Sequence, residues 1–273
     1  MGKVEGKVAF ITGAARGQGR SHALRLAAEG ADIIALDICR QIPTVAAPMA
    51  TPQDLEETIA QVEALGRRIL AFQADVRDFR AVSAALESGT SELGPVDIVL
   101  ANAGIATQGS PEPAIAESVR DIIDVNLIGV WNTVYAAAPQ MITRGAGGAI
   151  VLTGSTQAQS GRGGDGTAAT AAYAAAKHGV VGLMRSIGYW LAPYNIRVNI
   201  ISPGGTRTPM VENDVFEAWY AHHPHHRDGS GNPLPVDIME PIDISNGVLY
   251  LVSEASRYVT GAVLPVEGGY LIK

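Results

Sequence analysis

Short apolar runs recur along the chain, as KVAFIT at 7–12, DIIALD at 32–37, RILAFQAD at 68–75, DIVLANAG at 97–104, GAIVLTGS at 148–155, IRVNIISPG at 196–204 and AVLPVEGG at 262–269. Each has the length of a strand, and most are nearly continuous in apolar residues rather than alternating, the pattern of strands buried on both faces. The stretches between them predict helices near residues 18–29, 53–65, 78–92, 115–143, 168–191 and 243–253. Strands alternating with helices predict an α/β fold, a doubly wound, seven-stranded parallel sheet flanked by helices. One such sheet accommodates all of residues 1–273, so a single domain is expected.

Three segments exceed a minimal strand–helix pattern. Residues 38–52 (ICRQIPTVAAPMATP) form a proline-punctuated insertion, SGRGGDGTA at 160–168 is glycine-rich, and residues 209–241 include HHPHH. Loops this long in a compact domain usually serve as functional covers, and the last is expected to be a substrate lid.

Composition narrows the class. With 47% hydrophobic and 17% charged residues the chain can bury a large core. A net charge of −7 without a basic cluster excludes a nucleic-acid partner. The single cysteine, Cys39, allows no internal disulfide and no zinc spacing, which fits a reducing cytoplasm. The first residues lack signal-peptide regions, and no apolar run reaches the ~20 residues of a membrane span. His222, His223, His225 and His226 invite a metal reading, but proline breaks their helical spacing and no cysteine or acidic cluster joins them, so no metal is expected.

Gly13, Gly17 and Gly19 lie between the first strand and the first helix. Glycine permits the tight turn and the close backbone approach of a pyrophosphate, and the helix N-terminus offers free N–H groups to it. Asp37 ends the next strand, 18 residues after Gly19. This is the context of a dinucleotide-binding Rossmann fold, and a carboxylate there accepts from the adenosine ribose hydroxyls and repels a 2′-phosphate. Arg16 and Arg40 favour the opposite, a 2′-phosphate. Asp37 outweighs them because an unpaired carboxylate facing a phosphate is costly, so NAD is expected.

AAYAAAKHGVVG at 171–182 is a helix by alanine propensity, and it places Tyr173 and Lys177 four positions apart on one face. That pair can do acid–base chemistry.

TGAARGQG, NAG at 102–104, Asn126 in DVNLIGV, Ser155 ending a strand, and YAAAK together resemble the short-chain dehydrogenase/reductase family over nearly the whole chain. The resemblance implies a cofactor held by Gly13, Arg16, Gly17, Gln18 and Gly19, by Asp37 and Ile38, by Asp75 and Val76 flanking the adenine, and by Asn102, Ala103 and Gly104 beneath it. It further implies Pro203, Gly204, Ile201, Thr206 and Thr208 around the nicotinamide amide, and Lys177 on the nicotinamide ribose. The start of the chain, the insertion after DIC and AAKHGVVGLMRS look like the mycofactocin-coupled branch, which includes carveol dehydrogenase-like proteins. Membership there implies tightly held NAD, an external redox partner such as mycofactocin, and residues 38–52 as a lid over the adenosine end. The helix HGVVGLMRSIGYWL and the C-terminal segment resemble surfaces through which the family assembles, so a homotetramer is expected.

The catalytic set implied is Asn126, Ser155, Tyr173 and Lys177. Hydride transfer is the cofactor's chemistry, so the protein must manage one proton. Tyr173 is the base, and its phenol must be brought down from about 10 by the charge of Lys177 and of the nicotinamide. Ser155 holds the substrate oxygen and Asn126 positions a water that relays the proton. Ser155 lies 18 positions before Tyr173, further than is usual, while Ser160 sits at the usual separation. Ser155 is preferred because it ends a strand and has a fixed direction. The expected reaction is oxidation of a secondary alicyclic or terpenoid alcohol to a ketone. An NADPH-dependent carbonyl reductase and a catalytically silent NAD-binding regulator are the other uses of the same motifs.

Overall fold

The first apolar run forms β1 (Val8–Thr12), buried along its whole length. It lies inside the sheet of the computed structural model, which describes residues 2–107, 115–161, 166–222 and 231–272. The remaining strands are β2 (Asp32–Asp37), β3 (Ile69–Gln73), β4 (Ile98–Ala101), β5 (Gly148–Thr153), β6 (Ile196–Pro203) and β7 (Val263–Val266). All pairings are parallel, in the order β3-β2-β1-β4-β5-β6-β7. The strand order reverses between β1 and β4, and the crevice at the carboxyl ends there is where such sheets bind ligands.

The period of two along each strand divides the core. Phe10, Ile34, Leu36, Val99 and Ile150 face one layer, and Ala9, Ile11, Ile33, Leu100 and Val151 face the other. Against the first face pack α3 (Phe79–Leu93), α5 (Gly129–Arg144) and α6 (Ala168–Leu191). Against the second pack α1 (Gly17–Ala27), α2 (Pro52–Ala64) and α8 (Pro241–Val252). Their starts are chemically marked. Thr51 and Asp54 make a capping box at α2, Asp78 caps α3, and the Thr167 side chain accepts from Thr170 N at α6.

Two departures from the sequence expectation stand out. The helix expected over 115–143 is three pieces, α4 (Ile115–Ile123), a π-turn at Asp124–Ile128, and α5. The π-turn turns Asn126 inward to the backbone of Ile105, and Gly129 follows because a Cβ there would come within 2.6 Å of Val76 Cγ2. The second departure is α7 (Asp214–His222), a helix within the segment expected only as a lid. Of the HHPHH run, His223, His225 and His226 lie outside the described residues, as do residues 162–165 of the glycine-rich 160–168 insertion. Among the described residues no group of three or more metal-ligating side chains occurs, and no helix is long and apolar enough to cross a membrane.

Candidate active site

A cleft of about 580 Å³ runs along the carboxyl ends of β1, β2, β4, β5 and β6, lined at one end by the insertion and at the other by α7. Its floor is the glycine loop. Gly13 and Gly17 have φ of +70° and +57°, which L side chains adopt only with strain. Gly19 serves packing instead, since a Cβ there would overlap the Gly13 carbonyl oxygen at 1.9 Å. Gln18 lines the cleft with a buried Oε1 that no protein donor meets.

Asp37 is 6% exposed. Its Oδ2 accepts from Ala15 N at 2.9 Å and its Oδ1 from Cys39 N at 3.2 Å, so the carboxylate ties β2 to the glycine loop. Burial pushes its pKa up, against the pull of those N–H groups. Asp37 also lines the cleft, where hydroxyl donors suit a carboxylate.

Arg16 does not point its charge at an open phosphate position. Its Nη2 donates to the Pro48 carbonyl at 2.6 Å, bridging the glycine loop to the insertion. Ile38, Ile42, Val45, Pro48 and Met49 face the cleft from that insertion. Gln41 knots it internally, donating to the Val45 and Ala47 carbonyls and accepting from Met49 N. Thr44 donates to Asp121 at 2.5 Å. Arg40 is 3.5 Å from Asp75, whose carboxylate Arg77 holds at 2.7 Å. Burial alone would raise Asp75, but Arg77 holds it below the usual carboxylate range. Asp75 and Val76 both line the cleft.

Asn102, Ala103 and Gly104 line the centre. The Asn102 amide stitches strand ends together, donating to Thr12 O at 3.0 Å and accepting from Thr153 Oγ1 at 3.3 Å. Pro203, Gly204, Thr206 and Thr208 line the cleft after β6, whereas Ile201 is fully buried in the core beneath.

Ser155 follows β5 and caps a short 3-10 turn (Thr156–Ala158), its Oγ accepting from Gln157 N at 3.2 Å. It faces Tyr173 closely enough to pull the phenol's pKa down. Lys177, 3% exposed, donates from Nζ to the Thr153 carbonyl at 2.8 Å, and its Nζ lies 5.6 Å from the centre of the Tyr173 ring. The structure therefore brings Ser155, Tyr173 and Lys177 together in the cleft. Ser160 is not among the lining residues.

Two features bear on the implied proton chemistry. Asn126 is fully buried and does not line the cleft, and both ends of its amide are bonded to Ile105, with Nδ2 donating to O at 2.9 Å and Oδ1 accepting from N at 2.8 Å. It fixes the loop after β4. A water relay through this amide would compete with those bonds. Nor does the chain by itself depress Tyr173. Burial pushes the phenol up, with the Ser155 side chain pulling back, and burial brings the Lys177 ammonium down to about 8.

The far end of the cleft was not read from the sequence. Met210, Val211, Phe216 and Trp219 form an apolar wall, with Gln157, Asn232, Glu212, Glu217, Asp237 and Tyr270 interleaved. The alternation in DVFEAWYAH was the available signal for α7, but nothing local aims its rings at the cleft.

Comparison with known proteins agrees with this geometry. The short chain dehydrogenase family profile matches residues 7–218. The chain is 44% identical to a (-)-trans-carveol dehydrogenase of Rhodococcus erythropolis, covering 100% of both chains. It is 36% identical to a trans-4-hydroxycyclohexanecarboxylate dehydrogenase of Sinomonas cyclohexanicum, over 98% of this chain and 93% of the relative. Among solved structures, carveol dehydrogenase from Mycobacterium avium in complex with NAD superposes with a TM-score of 0.92 at 48% identity, covering 100% of each chain. A glycine-floored cleft that joins a buried carboxylate to a serine, a tyrosine and a lysine thus sits in a chain that belongs to the short-chain dehydrogenase family.

Proposed function

We propose that the protein is an NAD-dependent dehydrogenase that oxidises a neutral secondary alcohol of alicyclic or terpenoid type, carveol-like in shape, to the ketone. The observation that carries the reading is that Ser155, Tyr173 and, one helical turn on, Lys177 line the same cleft as Asp37. The named relatives act on ring alcohols, which supports the substrate class.

The residues present fit a dinucleotide. Gly13 and Gly17 leave room for close approach, Gln18 offers a buried polar atom that has no protein partner, and Asp37 suits ribose hydroxyls. Bound NAD supplies the hydride acceptor. Tyr173, as phenolate, takes the hydroxyl proton of the alcohol as the carbon–hydrogen bond is broken. Ser155 donates its O–H to the substrate oxygen, its own acceptor side being turned to Gln157 N. Lys177 contributes charge and holds the helix against β5. Positive charge brought into the cleft with the oxidised cofactor favours the phenolate, offsetting the burial that raises it. Asn126 is a positioning residue for the loop carrying Gly104 and Ile105.

The insertion acts as a lid that retains the cofactor, with Arg16 bonded to Pro48 at its tip. An NADPH-dependent reductase loses its supporting feature, because that same bond engages the guanidinium. Retained NAD needs an external acceptor to restore it, and a mycofactocin-type carrier is the partner the resemblance implies. Exposed Ile128, Trp131, Trp190 and Tyr189 on α5, α6 and the turn before them suit a homotetramer contact, and the working place is the cytoplasm. The test is to purify the protein without added nucleotide, denature it and identify what is released by mass spectrometry, then add a ring alcohol to the native protein and follow reduced nicotinamide by absorbance. Stoichiometric NAD and an alcohol-dependent signal are expected; released NADP, or no signal with any alcohol, would overturn the reading.

A further inference from the structure

The turn after β5 reads TQAQ, and its two glutamines have different fates. Gln159 donates from Nε2 to Ser202 Oγ at 3.1 Å, a structural bond to β6. Gln157 makes no such side-chain bond among the described residues. Its neighbours Thr156 and Ala158 are buried, while Gln157 is half-exposed and lines the cleft. Its backbone N–H holds Ser155 Oγ at 3.2 Å, which fixes the start of its side chain relative to the catalytic hydroxyl. The cleft is also lined by apolar Met210, Val211, Phe216 and Trp219. An amide on the rim of an apolar pocket is the arrangement that orients a ligand through one polar group.

Resting on the dehydrogenase reading above, we infer that Gln157 is a specificity-determining residue that takes a second, neutral oxygen function on the substrate, a hydroxyl or carbonyl apart from the reacting carbinol. An amide both donates and accepts, so it serves either group. Charge selects against a carboxylate. Asp237 and Glu212, the latter ion-paired with Arg207, line this end, and the described cations lining the cleft are Arg16, bound to Pro48 in the insertion, and Lys177, bound to Thr153. A site built to hydrogen-bond one substrate group discriminates against the analogue lacking it, because its polar partner is then left unpaired.

The test compares cyclohexanol, the cyclohexane-1,2-, 1,3- and 1,4-diols and trans-4-hydroxycyclohexanecarboxylate in single-turnover reduction of bound nicotinamide, with excess NAD present. Both the limiting rate and the half-saturating concentration are read for wild type and for Gln157→Met, similar in length without the amide. In wild type at least one diol should saturate at about 10-fold lower concentration than cyclohexanol, and the carboxylate should bind worst. Gln157→Met should bring that diol back to the cyclohexanol value while leaving cyclohexanol within about twofold and limiting rates little changed. Equal loss for cyclohexanol and the diols, or a diol preference that survives Gln157→Met, would overturn the assignment with the dehydrogenase reading intact. Turnover of no alcohol by wild type would instead remove the reading on which it rests. Retention of NAD by the variant shows that it is folded.

Discussion

Lys177 donates a 2.8 Å hydrogen bond from Nζ to the carbonyl oxygen of Thr153, two residues before Ser155. One bond thereby ties the helix that carries Tyr173 to the strand that ends just before Ser155. It also holds the ammonium group inside the protein, with the Thr153 carbonyl as its acceptor.

That burial has a cost which titration exposes. The Lys177 pKa falls from 10.5 to about 8 in the folded chain. Below pH 8 the folded and unfolded chains both carry the proton, and the burial penalty is felt in full. Between 8 and 10.5 the folded chain has shed the proton and the unfolded chain has not, so this group makes stability rise with pH across that window. Lys177→Met should therefore stabilise the cofactor-free protein by about 2 kcal/mol at pH 7, flatten the alkaline rise, and slow hydride transfer by about 100-fold or more. Urea unfolding from pH 7 to 10.5 measures the first two; a less stable variant would show that the lysine is a net structural support.

His22 titrates at the other end of the scale. Buried between α1 and α8, it sits 2.8 Å from Ser245 Oγ through Nδ1, while its buried Nε2 has no protein partner. Burial lowers its pKa from 6.5 to about 3. The folded state holds it neutral where the unfolded state takes up a proton, so its contribution is complete above pH 6.5 and is lost as pH falls toward 3. Relative to His22→Leu, wild type should lose about 2 kcal/mol more between pH 6.5 and 5. Parallel acid limbs for the two proteins in denaturant titrations would contradict this.

What the sequence made legible was chemistry carried by local spacing. Gly13 and Gly17 announce a strand-to-helix loop because their positive φ is a local demand, and Tyr173 and Lys177 share a face because four positions make about one helical turn. What it hid were partners brought together by folding. Asn126 is bonded to Ile105, 21 positions away, and Arg16 to Pro48, 32 positions away, and no period or motif encodes either contact. The direction of the Tyr173 shift was hidden for the same reason, since it depends on how deeply α6 is packed.

The Arg16–Pro48 bond separates two roles for one arginine. As a lid fastening, it should slow the escape of NAD without choosing between NAD and NADP, a choice that stays with Asp37. Arg16→Ala removes a charged donor to a carbonyl, and should raise the rate of NAD loss on dilution about tenfold. Nucleotide left on the protein after timed gel filtration gives the rate. A gain or loss of NADP binding in the variant, with NAD release unchanged, would return Arg16 to phosphate recognition.

The aromatic row on α5 and α6 has the form of a contact between copies of the chain. Trp131, 37% exposed, stacks on Tyr135 at 4.3 Å between centroids, and Tyr135 on Trp190 at 5.2 Å, with Ile128 beside them 43% exposed. Rings locked against one another present a broad surface at little entropic cost, and contiguous apolar area of this kind is uncommon on a monomer's surface. Two copies related by a twofold axis would bury it against itself. A glutamate in its middle would have to be buried unpaired in both copies at once. Trp131→Glu should therefore reduce the proposed tetramer to dimers held by a second contact, seen as a halved mass in light scattering with an unchanged far-ultraviolet circular dichroism spectrum. The same mass for both proteins would place the contact elsewhere on the surface.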